Sequence, residues 1–300
     1  MSVLGNENVS YHPTQQGFFT SEDGTSIYYE MAGQGKPLVF CYGLVCRREH
    51  WRHQLDYFVR DYRVIVFDYR GHQRSEIPAN QKNLTLDWCA KDVIALVNHL
   101  ELDEVVVLGH SMGVPVAALA AGKVPELIKG LVLICGTVIN PFDGMFNTNR
   151  LMTLYQGMDF LYNLSPNLMG GLWKRLTELN RLNFFITSHL GFNPYLAREE
   201  DVLNYMEGVN RTPLKVFFTL ISDYVNHDGR DELQNILCPT QVIAGNDDQI
   251  TPLPLQEEMV RLLKKGELEK IPMGSHNAHM DVPEMVNEKI EYFLKKIDYV

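Results

Sequence analysis

The chain has 300 residues, of which 45% are hydrophobic and 21% are charged, and its formal net charge is −10. These values are ordinary for a folded globular protein with a sizeable core. The acidic balance argues against nucleic-acid binding, which needs a basic face, and no apolar run reaches the ~18–20 residues of a transmembrane segment.

Eight runs of strand-forming residues are distributed along the chain, after an N-terminal stretch (residues 1–17) that we expect to be a loosely attached arm. The predicted strands cover residues 17–20, 26–31, 38–42, 63–68, 105–108, 130–135, 240–244 and 268–271. Apolar residues at helical spacing predict helices over 51–59, 85–100, 114–121, 252–263 and 283–296. Because strands and helices alternate, we predict an α/β fold, in which helices flank a mostly parallel eight-stranded sheet.

Residues 137–232 interrupt this alternation. They contain no run typical of a buried strand, and they carry leucine, methionine, phenylalanine and tyrosine at helical spacings. Between two strands, such an insert would form a cap over the carboxyl ends of the strands, where open α/β sheets bind ligands. We therefore predict a core made of residues 1–136 and 233–300, and a helical cap of residues 137–232. Most of the apolar side chains would form the core of the cap, and the others would line an apolar pocket.

The stretch with the clearest chemistry is Gly109-His110-Ser111-Met112-Gly113, between a predicted strand and a predicted helix. G-x-S-x-G in this context is a nucleophile elbow, in which a tight turn presents the serine at the end of the sheet. The glycines permit the turn, and the N-terminus of the following helix favours negative charge near Ser111. The alternative interpretation is an ordinary glycine-rich turn.

A serine becomes a nucleophile near neutral pH only beside a base that an acid orients. Candidates follow the last two predicted strands, in the chain order that this elbow requires. The acid is Asp248 or its neighbour Asp247, and the base is one of two histidines in the last loop, His276 or His279. Taken singly, each would be only a turn aspartate or a loop histidine.

These motifs together resemble the α/β-hydrolase superfamily, in the branch with a helical cap before the last strands, and the resemblance covers nearly the whole chain. The family's acid lies in a G-x-x-D-x-x-x-P loop, which Gly245, Asp248 and Pro252 match. Its histidine stands about seven residues before a proline that opens the last helix, as His276 does before Pro283. The resemblance therefore favours Asp248 over its neighbour as the acid.

Three positions depart from the family pattern. Ser275 precedes His276 where a glycine is usual, Tyr42 replaces a histidine before Gly43, and Gln73 replaces a glycine in the D-x-R-G-x-G-x-S loop. The family's oxyanion hole uses two backbone N–H groups. By resemblance they belong to Met112, which follows the serine, and to Leu44, which follows Gly43.

We predict a serine hydrolase that cleaves carboxylic esters of apolar acyl groups through an acyl-enzyme. Ser111 attacks the carbonyl carbon, His276 takes and returns the proton, and Asp248 orients the imidazole. The expected partner is a small apolar ester-like substrate, and we expect no nucleic-acid partner. A homodimer is possible from the sequence.

Other reactions use similar triads in relatives, because a fold alone does not fix a reaction. Lactone, thioester and C–C bond hydrolysis and cofactor-free perhydrolysis therefore stay open. So do a low-turnover ligand-binding protein and an interfacial lipase. A haloalkane dehalogenase or an epoxide hydrolase is disfavoured, because both use an aspartate nucleophile where this chain has Ser111.

The cysteines indicate the redox environment in which the protein folds. They are odd in number and fall mostly in apolar runs: Cys41, Cys46, Cys89, Cys135 and Cys238. This pattern indicates buried free thiols in a reducing environment, and the first residues lack the features of a secretory signal. We therefore expect a cytoplasmic protein. No Cys-x-x-Cys or His/Cys cluster predicts a metal, and we expect no cofactor.

Overall fold

The computed structural model describes residues 10–148 and 150–300. Much of the predicted N-terminal arm, and Asn149 of the predicted cap, lie outside the described residues. The strands are β1 (Gln15–Thr20), β2 (Ser26–Ala32), β3 (Pro37–Cys41), β4 (Arg63–Phe67), β5 (Val105–His110), β6 (Ile128–Ile134), β7 (Thr240–Gly245) and β8 (Gly266–Ile271). Strand β1 begins two residues earlier than the sequence predicted, so the arm ends before Gln15.

One sheet contains all eight of these strands, in the order β1-β2-β4-β3-β5-β6-β7-β8. The pairs β1–β2 and β2–β4 are antiparallel, and the other pairs are parallel. Every residue of the central strand β5 is buried, which explains its continuous apolar sequence. The prediction of a mostly parallel eight-stranded sheet is confirmed.

Helices cover the sheet. They are α1 (Arg52–Phe58), α2 (Leu86–His99), α3 (Gly113–Lys123), α4 (Leu151–Leu164), α5 (Pro166–Leu176), α6 (Arg181–Leu190), α7 (Glu199–Arg211), α8 (Leu214–Val225), α9 (Arg230–Asn235), α10 (Leu253–Leu262), α11 (Ala278–Asp281) and α12 (Pro283–Lys296). Helix α3 is buried from Gly113 to Ala121, so it lacks a polar face and is built of small apolar residues. No helix of the described ranges is long and apolar enough to cross a membrane.

Helices α4 to α8 form one continuous helical stretch between β6 and β7, without a strand in its described residues. The Gly229 N–H donates to the carbonyl of Val138 (2.8 Å), which joins the two ends of this stretch. We call residues 138–229 the helical insert. Helix α9 crosses the predicted boundary between residues 232 and 233, and the division into two domains stays a prediction.

The helical insert packs on loops that follow the carboxyl ends of the strands. A Cβ on Gly208 of α7 would lie 2.5 Å from the carbonyl oxygen of Val45, in the loop after β3. A Cβ on Gly71, in the loop after β4, would lie 2.8 Å from Val216 of α8. These close approaches hold the insert against the end of the sheet where α/β folds bind ligands.

Candidate active site

Ser111 stands in the tight turn between β5 and α3. Its φ is +54°, a left-handed conformation that is uncommon for residues other than glycine and concentrates at functional sites. The turn leaves no room for side chains at two flanking positions. A Cβ on Gly113 would lie 2.1 Å from the carbonyl oxygen of Cys41, and one on Gly109 would lie 2.4 Å from the carbonyl oxygen of Gly113. Glycine at both positions therefore permits this turn.

His276 lies in the loop between β8 and α11, and its two ring nitrogens face two different predicted site residues. Its Nε2 is 3.0 Å from the Oγ of Ser111. Its Nδ1 is 3.2 Å from both carboxylate oxygens of Asp248, which lies in the loop after β7. The structure thus brings together the three residues that the sequence singled out, in the order serine–imidazole–carboxylate.

The carboxylate of Asp248 is buried and accepts several hydrogen bonds. Its donors besides the imidazole are the N–H groups of Ile250 and Thr251 (both 2.9 Å), the hydroxyl of Thr251 (2.8 Å) and the side-chain N–H of Gln256 (3.4 Å). Burial alone would raise the pKa of Asp248, but His276 and the bonds from Thr251 outweigh it and hold the pKa below its ordinary value. The neighbouring Asp247 is exposed. Of the two aspartates, Asp248 is the one that faces the imidazole.

The sequence analysis missed two residues that support this carboxylate. Thr251 donates both its N–H and its hydroxyl to Asp248. Gln256 of α10 is fully buried and donates to the carbonyl of Thr251 (2.7 Å). The aspartate-x-x-threonine spacing before Pro252 was the available signal, because aspartates commonly accept from backbone N–H groups two or three residues on.

The loop that carries His276 is tied to the helical insert on both sides of the histidine. Ser275 donates its N–H to Asp281 (2.9 Å), and its hydroxyl lies 2.5 Å from that carboxylate and 3.0 Å from the carbonyl oxygen of Gly191. Asn277 donates its side-chain N–H to the same Gly191 carbonyl (2.7 Å). Burial raises the pKa of Asp281 to about 6, against the lowering effect of the bonds from Ser275. Ser275, which departs from the family pattern, thus connects the His276 loop with Asp281 and with the helical insert.

The two predicted oxyanion donors flank Ser111. A Cβ on Gly43 would lie 3.0 Å from the Cβ of Ser111, so the loop after β3, which includes Leu44, lies against the serine. Met112 immediately precedes α3, and its side chain is fully buried. No hydrogen bond of the described residues uses the N–H of Leu44 or Met112. Their role as oxyanion donors stays a prediction.

Tyr42, which replaces the family's histidine, braces a neighbouring loop. Its buried hydroxyl donates to Asp68 (3.2 Å) and accepts from the N–H of Tyr69 (3.1 Å). Burial raises the pKa of Asp68 to about 6, against the lowering effect of Arg74. This contact connects the loop after β3 with the loop after β4.

A cavity of about 300 Å³ opens onto Ser111 and His276. Its described lining residues include no aspartate, glutamate, lysine or arginine, and apolar and aromatic side chains form most of the wall. Helices α4 and α8 of the insert supply Leu151, Leu154, Tyr155, Met158, Phe217 and Ile221. A larger depression, of about 720 Å³, is lined by none of the predicted site residues.

Three buried histidines lie next to the site. Ring nitrogens of His50, His110 and His279 all lie within 4.8 Å of one another. Burial lowers the pKa of His50 to about 3 and those of the other two well below the usual value, so all three are neutral and offer lone pairs. Such a set can hold a zinc ion or bridge to a buried water. The cluster could not be predicted, because its members are far apart in the sequence. His279 belongs to it, whereas His276 faces the serine.

His110 links this cluster to the catalytic loop. Its Nε2 lies 2.9 Å from the carbonyl oxygen of His276, so Nε2–H donates and the lone pair is on Nδ1.

Comparisons with known proteins agree with this fold. A family model described as "alpha/beta hydrolase fold" matches residues 36–283. A non-heme haloperoxidase of Rhodococcus erythropolis is 29% identical over 296 residues, which cover 93% of this chain and 99% of the relative. A solved esterase of Thermogutta terrifontis shares 24% identity at a TM-score of 0.72, over 95% of this chain and 99% of that one. A bromoperoxidase of Bacillus anthracis shares 22% identity at a TM-score of 0.74, over 94% and 100%.

Proposed function

This chain belongs to the α/β-hydrolase fold family, and we propose that within it the protein is a serine hydrolase that cleaves carboxylic esters of apolar acyl groups. The observation that carries the proposal is the chain of contacts from Ser111 through His276 to Asp248, at the wall of an apolar cavity. A nucleophile, a base and an orienting acid within hydrogen-bonding reach are what acyl transfer requires.

The proposed reaction begins with proton transfer from the Ser111 hydroxyl to Nε2 of His276 as Oγ attacks the carbonyl carbon. The ionised Asp248 supports this step, because it accepts a hydrogen bond from Nδ1–H of His276 and stabilises the imidazolium that forms. The N–H groups of Leu44 and Met112 would hold the oxyanion of the tetrahedral intermediate. The intermediate collapses when His276 returns the proton to the leaving alcohol. Water, deprotonated by His276, then attacks the acyl carbon. The bond from that carbon to Oγ of Ser111 breaks as His276 returns the proton to Oγ, which releases the acid and restores the serine hydroxyl.

The apolar lining of the cavity favours a substrate whose acyl group is apolar. A charged acyl chain would lose its hydration there without gaining an oppositely charged partner among the described lining residues, which is unfavourable. A neutral alkyl or aromatic chain would instead gain from burial against Leu151, Tyr155 and Ile221.

A second candidate activity is perhydrolysis, and the 29% identical haloperoxidase favours it. Hydrogen peroxide would replace water in the second half of the reaction. Its oxygen would attack the acyl carbon, the bond to Oγ of Ser111 would break, and a peracid would leave. Peracid formation from an ester and added peroxide, absent in Ser111→Ala, would support this activity; formation at the same rate in both proteins would refute it.

The main test is hydrolysis of p-nitrophenyl esters from acetate to dodecanoate, together with labelling by a fluorophosphonate probe. We compare wild type, Ser111→Ala and the control Ser26→Ala on β2. Wild type and the control should show a maximum at one acyl length and should be labelled, whereas Ser111→Ala should lose about 10⁶-fold in kcat. Equal labelling of wild type and Ser111→Ala would refute the assignment. Labelling of Ser111 without ester turnover would instead favour lactone, thioester or C–C substrates, or a ligand-binding role.

A further inference from the structure

Helices α4, α5 and α6 of the insert carry an unusual concentration of exposed apolar side chains. Of the 21 large hydrophobic side chains that the described residues expose, 12 lie between residues 154 and 190. Isolated exposed leucines are normal on protein surfaces, but a concentrated set marks an interaction site.

The exposed side chains recur every three or four residues, so each helix has an apolar face towards solvent. On α5 this face comprises Leu168, Leu172 and Leu176, which are 68%, 46% and 55% exposed. On α6 it comprises Leu182, Ile186 and Leu190. An ordinary surface helix exposes its polar face instead. We call the exposed leucine, isoleucine and phenylalanine side chains of α4 to α6 the apolar insert face.

The charges along this stretch have the opposite sign to the charge of the whole chain. Between residues 150 and 190 there are four basic side chains and two acidic ones, although the chain as a whole carries −10. Lys174, Arg175 and Arg181 are exposed at the end of α5 and the start of α6. No ion pair within the described ranges uses any of these three side chains.

The apolar insert face adjoins the cavity at Ser111. Leu154 is 60% exposed and also lines that cavity. On α5, the ring of Trp173 packs on Phe217 of the cavity wall, with the ring centroids 4.6 Å apart. An apolar molecule at this surface could therefore reach Ser111 along apolar side chains, with little exposure to water.

We propose that the apolar insert face docks on the surface of an anionic phospholipid bilayer, without spanning it. Apolar side chains beside lysine and arginine are the combination that binds such interfaces. The charge distribution also orients the protein, because an anionic surface attracts the net-positive stretch 150–190 and repels the acidic remainder of the chain. A second copy of the chain is a poorer occupant, since a twofold contact of this face with itself would bring two net-positive stretches together.

The docking stands on the exposed residues alone. Its consequence for the substrate, an ester dissolved in the membrane, rests on the proposed function. The docking and the proposed function are tested separately. Vesicle binding can be measured without catalysis, and hydrolysis of dissolved short esters can be measured without vesicles.

The experiment is co-sedimentation of the full chain with vesicles of phosphatidylcholine, with and without phosphatidylglycerol. The variants are Leu168→Gln/Leu172→Gln/Leu182→Gln and Lys174→Gln/Arg175→Gln. The control is Met285→Gln/Tyr292→Gln, which changes two exposed apolar side chains on α12. Circular dichroism melting checks that each variant is folded, and Ser111→Ala should bind vesicles like wild type.

Wild type and the control should bind vesicles that contain phosphatidylglycerol and should bind more weakly without it or at high salt. The leucine variant should lose at least tenfold in partition coefficient, and loss of two basic charges should cost about 30-fold. Failure of wild type to bind either vesicle would overturn the proposal, as would equal binding by wild type and the leucine variant. So would a stable wild-type dimer that becomes monomeric in the leucine variant.

Discussion

Replacement of Asp248 by asparagine tests the proposed acid with almost no change in shape. In wild type the carboxylate accepts from the N–H groups of Ile250 and Thr251, from the Thr251 hydroxyl and from Nδ1–H of His276. The asparagine oxygen can keep the two backbone bonds, which leaves its NH₂ group towards the ring. A donor there favours the tautomer with the hydrogen on Nε2. That hydrogen points at the Oγ of Ser111, 3.0 Å away, so the ring can no longer accept the serine's proton.

The expected loss follows from two effects, the wrong tautomer and the missing negative charge beside the imidazolium. Together they reduce kcat by about 10⁴-fold in a triad of this kind. At 1.36 kcal/mol per decade, this loss corresponds to about 5.5 kcal/mol of transition-state stabilisation. Asp247→Asn is the matched control, because it makes the same chemical change on the adjacent, exposed residue and should leave kcat within about twofold of wild type.

The assay is kcat for p-nitrophenyl butyrate, with the rate of fluorophosphonate labelling as a second measure of serine reactivity. Circular dichroism melting of each variant checks that the fold is intact. A folded Asp248→Asn protein with more than about a tenth of the wild-type kcat would refute the reasoning. A loss in Asp247→Asn as large as that in Asp248→Asn would refute it too.

Three further changes have directions set by the structure. Thr251→Val removes the hydroxyl donor to the buried carboxylate, so we expect about 2 kcal/mol less stability in urea unfolding, and an unchanged midpoint would contradict this. Gly113→Ala places a Cβ 2.1 Å from a carbonyl oxygen and should prevent normal folding. In the same helix, the Cβ of Gly122→Ala meets open space, so this control should stabilise the protein by up to about 1 kcal/mol. Equal melting temperatures of the two variants would contradict the steric argument. Because the folded-state pKa of Asp281, about 6, lies above its unfolded value, this group favours folding below the unfolded pKa, and that contribution is lost as pH rises from about 4 to about 6. The melting temperature of wild type should therefore rise relative to Asp281→Asn between pH 7 and pH 5, and parallel curves would show that burial does not shift this group.

The fold was predictable where local sequence and tertiary structure agree. The buried strands β3 to β7 have mainly apolar sequences, because helices cover both of their faces. Strand β8 was harder to delimit, since it lies at the edge of the sheet and its glutamates remain partly exposed. The prediction missed Gly266 and Glu267, which pair with β7 through backbone groups alone.

The site was predictable only for residues that lie in motifs beside strand ends. Ser111, Asp248 and His276 come from such motifs, and the structure places His276 within hydrogen-bonding distance of each of the other two. The supporting contacts had no comparable signal, because they join distant parts of the chain. Ser275 meets Gly191 across 84 positions, and no spacing rule connects a loop histidine with the end of an insert helix.

The two hydrogen bonds to the carbonyl of Gly191 connect motion of the insert with the chemistry of the serine. Gly191 ends α6, and its partners Ser275 and Asn277 are the immediate neighbours of His276. Any movement that lifts α6 from the core must break both bonds, one on each side of His276. The imidazole would then be held by Asp248 and by the bond from His110 to its carbonyl, and its alignment with Ser111 would be less strictly fixed. Closure over a substrate would restore both bonds and with them the alignment of the nucleophile and its base.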